Sequence, residues 1–212
     1  MKIVEGAGVE LAVRYDSGET EPATVLVHGM GGTQWPLDLL AGRVVAYDRR
    51  GYGESGAPEP YVRTTVNEHA EDLVCVVRDL DAVPATLVGA DFGALAALDV
   101  LLRHPTVARA AVLVDPPAYM FVSEATEALS EDRAALEDEL RAGGPEAVGR
   151  LRGRIADFGA IASLPLSHGA LASIEVPVAI VSSPRARHHD LLAAEALLDA
   201  MPSAIGASDV PD

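Results

Sequence analysis

The chain has 212 residues, one cysteine, 49% apolar residues and a formal net charge of −16. That length and apolar content suit a single α/β domain with its own core and exclude disorder. The acidity argues against nucleic acid and anionic membranes as partners, because both select a basic footprint.

Val9 to Tyr15 alternates in part and reads as an edge strand, followed by a turn at Asp16, Ser17 and Gly18. Ala23 to Val27 is a continuous apolar run, as expected of a strand covered on both faces. It ends in the glycine-rich loop His28-Gly29-Met30-Gly31-Gly32, and Trp35 to Leu40 reads as a short helix. Arg43 to Asp48 is the next buried strand, and Arg49 to Pro60 is a loop rich in glycine and proline. Thr65 to Asp81 has apolar positions at helical spacing. Cys75 falls within it and reads as a buried structural thiol; a single cysteine leaves no internal disulfide and suits a reducing, cytoplasmic setting.

Ala85 to Val88 reads as a strand and Phe92 to Arg103 as a helix, with Asp91 at the apex of the turn between them. Small residues flank Asp91, so strand and helix can close up where a larger Cβ would collide. Ala110 to Asp115 is another buried strand, stopped by Pro116-Pro117. Residues 118 to about 165 are acidic and helix-prone, with breaks at Gly143-Gly144-Pro145 and Leu164-Pro165. They read as a small helical lid inserted between strands. Pro177 to Ser182 returns to the sheet, Asp190 to Met201 reads as a helix with Asp190 at its N-cap, and Ala204 to Gly206 as a final strand. No apolar leader opens the chain, and no apolar run is long enough to span a bilayer.

Strands alternating with helices predict a doubly wound, mostly parallel sheet across residues 1–212, with right-handed crossovers. Such sheets place ligands at the carboxyl ends of their strands. The His28 loop, Asp91, Asp115 and the loop from Ser182 to His189 all follow strands, so they are expected to meet on one edge beneath the lid.

Three stretches together resemble the α/β-hydrolase superfamily. Val27-His28-Gly29-Met30-Gly31-Gly32 is similar to its oxyanion loop, Tyr47 to Ser55 to its D-x-R-G-x-G-x-S loop, and Gly89-Ala90-Asp91-Phe92-Gly93 to its nucleophile elbow. Aspartate at the elbow resembles the epoxide hydrolase and haloalkane dehalogenase subgroup. The resemblance implies an α/β-hydrolase fold and Asp91 as a nucleophile that forms an alkyl ester, later cleaved by water activated by a histidine. It also implies an oxyanion hole from the N–H groups of Met30 and Phe92, with His28 and Gly29 shaping the loop. The competing reading of Asp91 is a helix N-cap.

The chain departs from the pattern where a histidine is expected after the last strand: Asp209 stands there, in Gly206-Ala207-Ser208-Asp209. His28 suits a structural place in its loop, His69 lies mid-helix on a surface or packing face, His104 suits a helix end, and His168 lies near the return of the lid. His188 and His189 follow a strand on the expected catalytic edge, so His189 is the candidate base and Asp115 the candidate acid; a solvated histidine pair and an ordinary strand-end aspartate are the competing readings. Phe92 lacks the N–H donor that dehalogenases place beside the nucleophile; Trp35 is the alternative halide donor, or simply a packing residue. Tyr119 is the one lid tyrosine able to protonate an opening epoxide, or else it packs the base of the lid.

No metal spacing, phosphate cradle or dinucleotide motif is present, so neither metal nor cofactor is expected. The favoured reading is an epoxide hydrolase-like enzyme acting on a small apolar organic substrate. The alternatives are a non-hydrolytic acid/base enzyme on the same scaffold and a catalytically silent binding protein. Few residues follow Met201, so a second subunit completing the sheet edge, a homodimer, is a further expectation.

Overall fold

The structure, a computed structural model, describes residues 1–16, 22–32 and 34–207. Eight strands form one sheet: β1 (Lys2–Glu5), β2 (Glu10–Tyr15), β3 (Thr24–Val27), β4 (Val44–Tyr47), β5 (Ala85–Ala90), β6 (Ala108–Val114), β7 (Val178–Val181) and β8 (Ala204–Ala207). Their spatial order is β1-β2-β4-β3-β5-β6-β7-β8. The first two strands run antiparallel, and every pairing from β4 to β8 is parallel. Five helices accompany them: α1 (Val66–Asp79), α2 (Phe92–Arg103), α3 (Ala125–Ala160), α4 (His168–Ala172) and α5 (His188–Ala200).

The buried apolar runs became the central strands because residues pointing to either face find cover. In β4 all four residues are buried. Val25, Val27, Val45, Tyr47 and Leu87 join one large core with α1 and α2, whereas Leu26, Val44 and Ala46 form a smaller cluster with Trp35, Leu37 and Val88. This alternation is the two-residue period of a strand. Trp35 therefore packs on the sheet, and only Leu37–Leu39 of the expected helix forms a single turn.

Several expectations needed correction. Glu10–Tyr15 is an interior strand, because β1 pairs along its outer side with Val4 opposite Leu11. Helix α5 begins at His188 with Arg187 as N-cap; Asp190 sits three positions in, where its carboxylate accepts from the Arg187 N–H at 2.8 Å. Cys75 is half-buried. His69 takes the packing face of the two places read for it and is buried, at 1% exposure. The expected positions Ser17, Gly18 and Asp209 lie outside the described residues.

Between β6 and β7 the chain is helical throughout its regular elements. Helix α3 is two helices meeting at Gly144, whose φ of 58° and ψ of −153° interrupt the helical backbone. Left-handed φ is accessible to glycine at little cost. Among the described residues no helix is long and apolar enough to cross a membrane.

Register brings the strand ends together. Val27 lies beside Gly89, Ala90 beside Val114, and Val114 beside Val181. The loops after β3, β4, β5, β6 and β7 consequently open on one edge of the sheet.

Candidate active site

The turn between β5 and α2 is held by close packing. A Cβ on Gly93 would lie 2.3 Å from the Val27 carbonyl oxygen, and one on Gly89 would lie 2.4 Å from that of Gly93. Only glycine permits either approach. Asp91 takes φ 49° and ψ −122°, a conformation that costs a non-glycine residue about 1–3 kcal/mol. Its N–H donates to Val114 O at 2.8 Å, and its carbonyl accepts from Ala94 N at 2.9 Å. The side chain makes no capping hydrogen bond to its own helix. Instead Oδ2 accepts the Met30 N–H across from the β3 loop at 2.8 Å.

Asp91 opens onto a cavity of about 490 Å³. Its apolar wall is Leu129, Leu136, Phe158 and Ile161 from the helical segment; Tyr119, Asp115, Met30 and an Arg187–Asp132 ion pair complete the polar side. Burial pushes the Asp91 carboxyl up to about 6, against the opposing pull of the Met30 N–H, Arg49 and the Phe92 N–H.

Behind Asp91 lies a buried charged network. Arg49, fully buried, donates from Nε to His28 O at 2.8 Å and from Nη2 to Gly29 O at 3.0 Å. The same Nη2 pairs with Asp157 Oδ2 of α3 at 2.5 Å. Tyr52 donates to that oxygen at 2.7 Å, while His69 Nε2 stands 3.4 Å from Oδ1. The guanidinium also lies 4.9 Å from the Phe92 ring centroid. Although burial opposes it, Arg49 together with His69 holds the Asp157 carboxyl well below the usual carboxylate range. His28 Nδ1 lies 2.9 Å from Gly29 O and Nε2 accepts the Arg49 N–H at 3.0 Å. Burial and neighbouring Arg49 push His28 down to about 3, so it is neutral and braces the loop.

The adjoining loop after β4 is likewise braced. Arg50 grips Asp72 through Nε at 2.7 Å and Nη2 at 2.8 Å, and Asp48 accepts from Glu54 N at 3.0 Å.

The sequence-derived candidates separate into two groups. Asp91, Met30, Asp115 and Tyr119 share the cavity wall. Asp115, at φ 45°, is held by an Oδ1 contact to Ser183 N at 2.9 Å. Gly29 lies against Asp91: a Cβ there would stand 2.8 Å from that of Asp91. Phe92 bears on Asp91 through its N–H, while its ring is buried against His69. His28 and Trp35 are packed away from the cavity. All six histidines lie among the described residues, and none lines the cavity. His189 sits behind Tyr119, ring centroids 5.3 Å apart, with Nε2 buried without a hydrogen-bond partner and 3.4 Å from Asp190 Oδ1. The Tyr119 hydroxyl donates to that same Asp190 oxygen.

Sequence reasoning missed Arg49, Tyr52 and Asp157. Asp157 carried a readable signal: a single carboxylate in the otherwise apolar run Ile155-Ala156-Asp157-Phe158. Nothing local signalled its pairing with Arg49, 108 residues away. Leu129 and Leu136, seven residues apart on α3, were readable as one helix face.

The chain is 33% identical over 108 residues to the uncharacterized hydrolase YraK of Bacillus subtilis, covering 48% of this chain and 38% of YraK. It is 32% identical over 103 residues to the probable oxidoreductase EphD of Mycobacterium tuberculosis, covering 45% of this chain and 17% of EphD. The matched stretches thus span well under two thirds of either relative. The fold matches that of the enol-lactonase from Burkholderia xenovorans with a TM-score of 0.72, at 21% identity, covering 97% of this chain and 90% of the other. Residues 24–210 match the model of the alpha/beta hydrolase family, and the chain belongs to that family.

Proposed function

We propose that the protein is a hydrolase-type enzyme of epoxide hydrolase character, with Asp91 as nucleophile. The observation that carries this reading is the Asp91 carboxylate, with Oδ2 bound by the Met30 N–H at 2.8 Å and its cavity walled by Leu129, Leu136, Phe158 and Ile161. With Oδ2 occupied, Oδ1 is the oxygen free to attack. A carboxylate needs no prior deprotonation by a base, and a group at about 6 is mostly ionised at neutral pH.

In the first step Asp91 Oδ1 bonds to an epoxide carbon and the carbon–oxygen bond of the ring breaks. The departing oxygen takes its proton from the Tyr119 hydroxyl, which must first turn from its acceptor Asp190 Oδ1, and solvent then reprotonates it. Oδ2 becomes the ester carbonyl oxygen, and in hydrolysis its developing charge would be met by the Met30 N–H, which lies 2.8 Å from it, together with the Phe92 N–H. Helix α3 acts as the lid that keeps this hollow apolar. The favoured substrate is a small organic epoxide with an apolar body.

Hydrolysis of the ester needs an activated water, and no imidazole lines the cavity. The ester is therefore expected to be long-lived. That same observation favours a second reading, in which Asp91 shuttles a proton as acid or base without forming a bond. Incubation with a panel of terminal epoxides followed by peptide mass spectrometry separates the two. A stable adduct on Asp91, absent in Asp91→Asn, supports the nucleophile; turnover with no adduct at any time point assigns proton transfer.

A further inference from the structure

A second cavity, of about 420 Å³, adjoins the first and shares Gly31 and Arg154 with it. Its wall combines the backbone of the two glycine-bearing loops, at Gly31-Gly32 and Gly51-Tyr52-Gly53, with Arg150, Arg152, Arg154 and Glu139 of α3. Three guanidinium groups thus line the hollow beside Glu139, with Arg152 Nη1 meeting Glu59 Oε1 at 3.1 Å, in a chain whose overall charge is −16. Glu139 aligns two of them: Arg150 Nη1 meets Oε1 at 2.9 Å, and Arg154 Nη1 meets Oε2 at 3.1 Å. A guanidinium has five N–H donors in a planar fork, so each arginine keeps donors free for a further acceptor. The Arg154 stem crosses the Gly31 end of the loop after β3, where a Cβ on Gly31 would lie 3.7 Å from Arg154 Cδ.

We infer that this second cavity is an anion subsite, receiving the carboxylate or phosphate terminus of a substrate whose apolar, reacting end lies beside Asp91. Because Gly31 and Arg154 belong to both walls, a ligand reaching from one hollow to the other would run along the Arg154 side chain. An acidic protein repels anions through its overall field, so anion binding here depends on local charge, where three guanidinium groups outnumber the carboxylates of Glu139 and Glu59 by one. A carboxylate or phosphate can use these guanidinium donors bidentately.

The inference deepens the proposed substrate class and rests on Asp91 only for the reacting end. Calorimetric titration with octanoate, octyl phosphate and octanol tests it directly. Octanoate and octyl phosphate are each expected to bind at least tenfold more tightly than octanol; whichever binds tighter identifies the terminus. Arg150→Gln, on an exposed face and outside the Asp91 cavity, is expected to weaken both anions about tenfold and leave octanol unchanged. Equal affinity for all three ligands, or anion binding unmoved by Arg150→Gln, overturns the subsite. Labelling of Asp91 by the terminal epoxide of octene provides the separate readout. If octanoate preference persists while no epoxide ever labels Asp91, the subsite stands and the covalent reading falls.

Discussion

Replacing Asp91 by Asn should make the protein more stable, and the gain should depend on pH in a defined way. Burial holds the Asp91 carboxyl at about 6, above its ordinary 3.8. A carboxyl whose folded-state pKa is raised binds its proton more tightly in the folded state, so ionisation works against folding. The cost is absent below the unfolded value, grows as pH rises from about 4 to about 6, and is constant above that. Those two values give about 3 kcal/mol at pH 7, roughly half of that at pH 5 and little at pH 4. Asn keeps an oxygen for the Met30 N–H and carries no charge, so it escapes the cost. Urea denaturation of both proteins at pH 7 and pH 5 should show a gain at pH 7 that shrinks by roughly half at pH 5. For a chain of this size, the pH 7 gain corresponds to a rise in Tm of roughly 6–12 °C. An Asp91→Asn protein no more stable at pH 7, or a gain identical at both pH values, would refute the assignment of Asp91 as a desolvated, catalytically poised carboxylate.

Alkylation of Asp91 by an epoxide should follow its ionised fraction, about 9% at pH 5 and about 90% at pH 7, giving a roughly tenfold rise in the rate of adduct formation. Asp157→Asn should move that acid limb to lower pH, because the Asp157 charge raises the Asp91 carboxyl, and should cost about 3 kcal/mol or more by leaving Arg49 buried without its counter-ion; a pH profile and a denaturation curve read the two effects separately. Gly93→Ala should destabilise by about 1–3 kcal/mol and slow adduct formation, since the new Cβ meets the Val27 carbonyl at 2.3 Å. Thr65→Ala should cost about 1 kcal/mol in thermal unfolding and leave labelling of Asp91 unchanged, because it removes only the capping box with Glu68 at the start of α1.

What the sequence made legible was whatever depends on neighbours in the chain. Apolar runs such as Ala23 to Val27 and Ala110 to Val114 have no reading other than buried strands, and small residues around Asp91 announce a tight turn. Lys2–Glu5 escaped notice because four residues are too few to establish a period, and its absence from the reading turned β2 into an edge. Asp190 looked like an N-cap because a cap and a third-position carboxylate differ by a few residues, although both hydrogen-bond at the same helix end. The larger gap was the network behind Asp91. Arg49, His69 and Asp157 come from three separate elements, and only the folded topology brings them within reach of one another.

The Arg49–Asp157 pair acts as a latch. Arg49 grips the carbonyls of His28 and Gly29 on one side and helix α3 on the other, so lifting the second half of α3 would strand a cation in a dry interior. The half of α3 before Gly144 is tied to α5 by the half-exposed Arg187–Asp132 pair, and it is folded onto the second half by Leu136 packed with Ala147 and Leu151 and by Glu139 paired with Arg150 and Arg154. The two halves thus move together, and the second is bolted to the loop whose Met30 N–H holds Asp91, so the aim of that N–H is fixed by a contact far along the chain.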